Sequence, residues 1–116
     1  MTTPAKTDLV IFQGATFSKL LKLSVAGTPM DITGYTFRMQ VRESKATSSP
    51  ILLELTSANG KITTVPLMGE VSLEVSATDT ALLSFLQAFY DLEMVNGTVV
   101  TRILEGSCIL SKEVTK

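Results

Sequence analysis

The chain reads as an all-β protein: an antiparallel β-sandwich of immunoglobulin-like size, with about seven or eight strands and one short helix near residues 77–87. Three observations predict this. Apolar and polar residues alternate with a period of two through much of the chain. Glycine, proline, asparagine and serine clusters separate the alternating runs too closely for long helices to form. A single stretch, "SATDTALLSFLQ", changes to helical spacing. A small Greek-key barrel is the second architecture compatible with this pattern.

The elements follow in order. After the polar leader "MTTPAKTD", the run "DLVIFQG" is a short apolar strand stopped by Gly14, and "TFSKLLKLS" is a second strand. Phe17, Leu21 and Leu23 share one face of that strand, with Lys19 as the exception. Gly27, Pro29 and Gly34 then punctuate the chain. In "YTFRMQVRE", Tyr35, Phe37, Met39 and Val41 face one way and Thr36, Arg38, Gln40 and Arg42 the other, as in a half-buried strand. "SKATSSP" is a polar loop, expected to be the most mobile segment. "ILLELT" and "KITTVP", joined by the turn "SANG", read as a hairpin. "EVSLEVS" directs Val71, Leu73 and Val75 inward. The helix begins at Ser76 or Thr78 as N-cap, with Asp79 in its first turn and Leu82, Leu83 and Leu86 on its apolar side.

The last third is "AFYDLEMVNGTVVTRILEGSCILSKEVTK". Ala88, Tyr90, Leu92 and Met94 alternate with Phe89, Asp91, Glu93 and Val95. Asn96-Gly97 predicts a type I′ hairpin turn, because both residues tolerate positive φ. The return strand runs from Thr98 through Glu105, Gly106 marks a bulge, and "SCILSKEV" continues as an edge or exit strand.

The length of 116 residues suits one domain, 1–116. A hydrophobic fraction of 45% and a charged fraction of 18% suit a chain that buries a core. The formal net charge is −1, with no cluster of lysines and arginines. That argues against nucleic acid as a partner, since binding requires several phosphates to be neutralised together. No apolar run reaches the roughly 20 residues that span a bilayer, so no membrane partner is expected. Histidine is absent, which removes the usual general base near neutral pH and the commonest metal ligand. Cys108 is the sole cysteine, so it has no disulfide partner within the chain and reads as a small core residue. No cofactor and no metal are expected.

The remaining candidates are charged or apolar surface residues. Asp91 and Glu93 stand two apart on a strand, about 7 Å between Cα atoms, a spacing not far from that of paired-carboxylate hydrolases. Their alternation with Tyr90, Leu92 and Met94 makes them a solvated face, with Arg102 and Arg38 beside them. Arg38 and Arg42 share one strand face and suit cross-strand ion pairs. Val10, Ile11 and Phe12 near one end, and Ile109 and Leu110 near the other, lie in segments with little charge to protect an open sheet edge. These ten residues form the expected protein interface, and no catalytic residue is assigned.

The order of segments resembles small β-sandwich domains of tailed-bacteriophage virions, above all the N-terminal domain of phage baseplate upper proteins and related tail-fibre and head-decoration modules. The residues that carry the resemblance are Gln13-Gly14, the stretch from Asp31 to Arg38, and the hairpin from Tyr90 to Gly106. It implies a non-enzymatic virion protein, assembled in the host cytoplasm. It also implies contacts with other phage structural proteins as an adaptor or decoration, and a symmetric homo-oligomer such as a ring or trimer. The alternative is a small hydrolase, or a module binding a host enzyme, that uses the Asp91 and Glu93 face.

Overall fold

Alternation of buried and exposed side chains lays the chain into two sheets that share one core. The structure, a computed structural model, describes residues 4–115. Met1, Thr2, Thr3 and Lys116, counted in the expected 1–116 domain, lie outside the described residues. The strands are β1 (Ala5–Lys6), β2 (Leu9–Phe12), β3 (Phe17–Lys22), β4 (Ser24–Val25), β5 (Thr28–Pro29), β6 (Thr36–Arg42), β7 (Ile51–Thr56), β8 (Ile62–Val65), β9 (Glu70–Val75), β10 (Gln87–Asn96) and β11 (Val99–Ser111). The helix is α1 (Ala77–Ala81). Setting aside the two-residue pieces β1, β4 and β5, eight strands carry the fold, in line with the sequence expectation.

The larger sheet has the order β1-β11-β10-β6-β7, with β2 also paired to β11; the smaller has β3-β9-β8. Inward residues from both sheets form one cluster. Phe37, Met39 and Val41 of β6, Leu92 of β10, Ile11 of β2 and Cys108 of β11 meet Val71, Leu73 and Val75 of β9 across it. Pairing is antiparallel throughout except along β11, where β1 and β2 run parallel to it. Both β1 and β2 therefore lie on the same side of one long strand, and β11 is an interior strand. The expectation that "SCILSKEV" forms an edge is corrected, since β10 flanks it on the other side.

Other sequence expectations change for local reasons. β7 and β8 do not form a hairpin: β7 pairs with β6 and β8 with β9, so the turn between them carries the chain from one sheet to the other. Asn59 holds that turn, its Oδ1 accepting from the Thr56 and Lys61 amides at 3.0 Å each. The β10–β11 turn has Gly97 and Thr98 as its central residues, because Asn96 still pairs with Val99. Gly97 has φ of 62° and Asn96 is not in the positive-φ region, the glycine-first arrangement of a type II′ turn rather than type I′. The pair with positive φ at both positions is Ala26-Gly27, at 52° and 81°, between β4 and β5.

The helix starts where expected, with Ser76 Oγ accepting from the Asp79 amide at 3.2 Å. It ends at Ala81, so the anticipated apolar side is not completed. Leu83 is buried, while Leu82 and Leu86 are exposed. The bulge in β11 falls at Ile103, between the pairs Leu92–Leu104 and Glu93–Arg102. Gly106 stays in register with Tyr90 and serves a different need. A Cβ there would meet the Thr7 carbonyl oxygen at 2.2 Å, because the chain between β1 and β2 dips against it.

Candidate functional site

The outward face of the larger sheet gathers most of the expected surface residues, in two adjoining halves. One half is charged. Asp91 lies opposite Glu105 on β11 and Gln40 on β6, and Glu93 lies opposite Arg102 and Arg38. Arg38 Nε donates to Glu93 Oε1 at 2.7 Å. Arg102 reaches Asp91 Oδ2 through Nε at 3.4 Å and Glu105 Oε1 through Nη1 at 3.2 Å. The bulge at Ile103 makes this possible. A regular strand would send Arg102 and Glu105, three apart, to opposite faces; the extra residue returns both to the same one.

Burial, the largest influence on Asp91, pushes its carboxyl above the ordinary aspartate value. The Arg102 guanidinium opposes that rise, and the negative charges of Glu93 and Glu105 add to it. Chemically the cluster is a lattice of donors and acceptors whose side chains hold one another in place. Among the described residues, no group of three or more histidine, cysteine, aspartate or glutamate side chains is placed to hold a metal ion.

Arg42 is placed differently from Arg38. Its guanidinium donates to the backbone carbonyls of Thr47, at 3.0 Å, and Ser49, and to Gln40 Oε1. It ties the loop after β6 to the sheet, so the expected mobile segment "SKATSSP" is held at its far end. Arg42 thus anchors the loop while also lining the groove above the sheet. The loop forms one wall of an open groove of about 840 Å³ above the charged half, where the Lys45 ammonium lies 5.6 Å from the centre of the Phe89 ring.

The other half is apolar. Val10 pairs in register with Ile109, and Phe12 with Ser111, which places Val10, Phe12 and Ile109 together on the outward face. Phe12 is 62% exposed. Leu86, just before β10, is also exposed, and its carbonyl accepts from the Leu110 amide at 3.0 Å. Ile11 and Leu110 are corrected: both point inward and are buried in the core, because period two sends neighbours of exposed residues to the other face.

Period two already places Gln40 on the Arg38 face and Phe89 on the Asp91 and Glu93 face, but neither residue, nor Glu105, is among the interface candidates expected from the sequence. For Glu105 a signal was present in "RILE", where two charged residues flank two apolar ones within a strand. Gln13 and Thr80, which secure the end of the sandwich, were also missed. Gln13 Nε2 donates to the Leu83 carbonyl at 2.8 Å, and its Oε1 accepts from the Glu113 amide at 2.9 Å. Thr80 is fully buried. Its hydroxyl donates to the Ala15 carbonyl at 2.8 Å and accepts from the Gly14 amide at 3.1 Å. No family model matches the chain, and no curated protein matches it.

Proposed function

We propose that this domain is a structural component of a tailed-bacteriophage virion and works through protein–protein contact, as an adaptor or decoration in the tail or baseplate. The observation that carries the reading is the row of Val10, Phe12 and Ile109, exposed side by side along β2 and β11. Among the described residues β2 pairs only with β11, so its other edge offers backbone donors and acceptors to a neighbouring chain. Open edges of this kind are usually blunted by charge, proline or bulges in proteins that work alone; here the edge carries Val10 and Phe12. An apolar face next to an open edge suits a neighbour that adds a strand and covers the exposed side chains at once. The segment resemblance to virion β-sandwiches supports the same reading, with other copies of the chain or other phage structural proteins as the neighbours.

Mass spectrometry of purified particles tests the setting: the protein is expected in virions, and its absence from them would refute the reading. The contact is tested with Val10→Lys combined with Phe12→Lys. Both side chains are exposed, so the variant should fold and yet fail to enter particles. Incorporation at the normal level would show that this row is not the contact.

A further inference from the structure

The groove over the charged half is a second surface, separate from the apolar row, and its chemistry indicates a ligand class. Its floor is the face of a sheet, where backbone donors and acceptors are already consumed by the ladders between β6, β10 and β11. Recognition there must come from side chains alone. An extended peptide would forgo its main-chain hydrogen bonds on such a floor and gain them at a sheet edge instead. The basic and acidic side chains lining the groove nearly balance, so neither an anionic nor a cationic ligand is favoured.

A balanced lattice of carboxylates, guanidinium groups and an amide suits hydroxyl groups, each of which donates and accepts. Glu93 uses Oε1 for Arg38 Nε, which leaves Oε2 and the two terminal nitrogens of Arg38 for a ligand. Arg102 reaches Asp91 diagonally through Nε and Oδ2, with its Nη1 given to Glu105, so Asp91 Oδ1 and Arg102 Nη2 are the atoms of this pair left for a ligand. Adjacent carboxylate–guanidinium pairs can thus each engage a pair of neighbouring hydroxyls. The ion pairs restrict the rotamers before a ligand arrives, which lowers the ordering cost of binding. Phe89 lines one end of the groove, with the Lys45 ammonium 5.6 Å from its ring centre, and supplies an aromatic surface against which the C–H face of a pyranose ring can lie. The groove volume of about 840 Å³ falls within the range of small-ligand sites.

We infer that this groove binds a short, neutral oligosaccharide through the Asp91–Arg102 and Glu93–Arg38 pairs, with Phe89 beneath one sugar ring. The experiment is a titration of the isotope-labelled domain, followed by amide chemical shifts, with maltotetraose, cellotetraose and N-acetylchitotetraose in turn and with sodium sulfate as a charge control. Saturable shifts at Phe89, Asp91, Glu93 and Arg102 are expected with at least one sugar. Glu93→Gln and Arg102→Ala should each weaken that binding by about tenfold or more. Exposed ion pairs contribute little to stability, so both variants should keep dispersed spectra. The Val10→Lys, Phe12→Lys variant should bind as the wild type does, which separates this site from the assembly contact. The inference is overturned if none of the three sugars causes saturable shifts, if the shifts map outside the groove, or if sulfate reproduces them. Retained affinity in both groove variants would overturn it as well.

Discussion

At the scale of the residue, Thr80 shows how one buried polar group joins distant parts of the chain. It sits on the single helix, yet its hydroxyl serves the Gly14 amide and the Ala15 carbonyl in the turn between β2 and β3. Neither group has a strand partner to fall back on, because both lie where the chain leaves one sheet for the other. Thr80→Val keeps the shape and removes the hydroxyl, taking the hydrogen-bond partner from the part-buried Gly14 amide and Ala15 carbonyl. The expected cost is about 1–3 kcal/mol, read as a lower urea midpoint; Thr80→Ser should recover most of it. A valine variant as stable as the wild type would show that water or a rearranged turn replaces the hydroxyl.

At the scale of the element, the first strand is divided by a kink that depends on a glycine near the other end of the chain, Gly106. β1 and β2 flank Thr7 and Asp8, where the ladder to β11 is interrupted. The Thr7 amide still donates to the Glu105 carbonyl at 2.9 Å, and Asp8 Oδ1 accepts from the Ser107 amide at 3.1 Å in place of a backbone carbonyl. Tyr90 completes the arrangement by donating its hydroxyl to the Thr7 carbonyl at 2.5 Å. All of this requires the Thr7 carbonyl to occupy the space above Gly106. Gly106→Ala should therefore destabilise the domain by about 1–3 kcal/mol, the usual cost of overpacking. It should also accelerate hydrogen exchange at the Thr7 amide, because β1 must lift from β11 to admit the methyl group. Unchanged exchange at Thr7 would contradict this account.

At the scale of the whole molecule, two titratable groups lie in the core and link folding to alkaline pH. Burial pushes the Cys108 thiol from its ordinary 9.0 up to about 11. Burial also raises the Tyr90 phenol, with the neighbouring negative charges of Cys108, Asp8 and Glu105 adding to the effect. In each case the folded-state value lies above that of the unfolded chain. The contribution to stability is then complete below the unfolded value and is lost as pH rises through the folded one. Stability measured by urea unfolding should fall as pH rises from 9.0 towards about 11, and Cys108→Ala should flatten part of that fall. A profile level across this interval would show that the two groups are not buried as neutral species.

The sequence by itself determined which residues face inward on most strands. Phe37, Met39 and Val41, then Val71, Leu73 and Val75, then Tyr90, Leu92 and Met94 follow from period two, because a strand's geometry sends alternate side chains to opposite sides whatever its neighbours are. It also narrowed the helix N-cap to Ser76 or Thr78, of which the structure uses Ser76, and showed, from composition, the lack of any histidine. Beyond the β10–β11 hairpin, which Asn96-Gly97 signals and the structure contains, only the tertiary structure decided which strands pair. β7 and β8 are separated by a turn that reads as a hairpin, yet they join different sheets, because each pairs with its other neighbour along the chain, β7 with β6 and β8 with β9. The candidate groove has the same origin. Asp91 and Glu93 are visible as a pair in the sequence, but Arg38 reaches Glu93 across β6, and Arg102 and Glu105 reach one face only through the bulge at Ile103. Cross-strand register is a property of contacts distant along the chain, whereas the alternation that hides Ile11 and exposes Val10 and Phe12 is local.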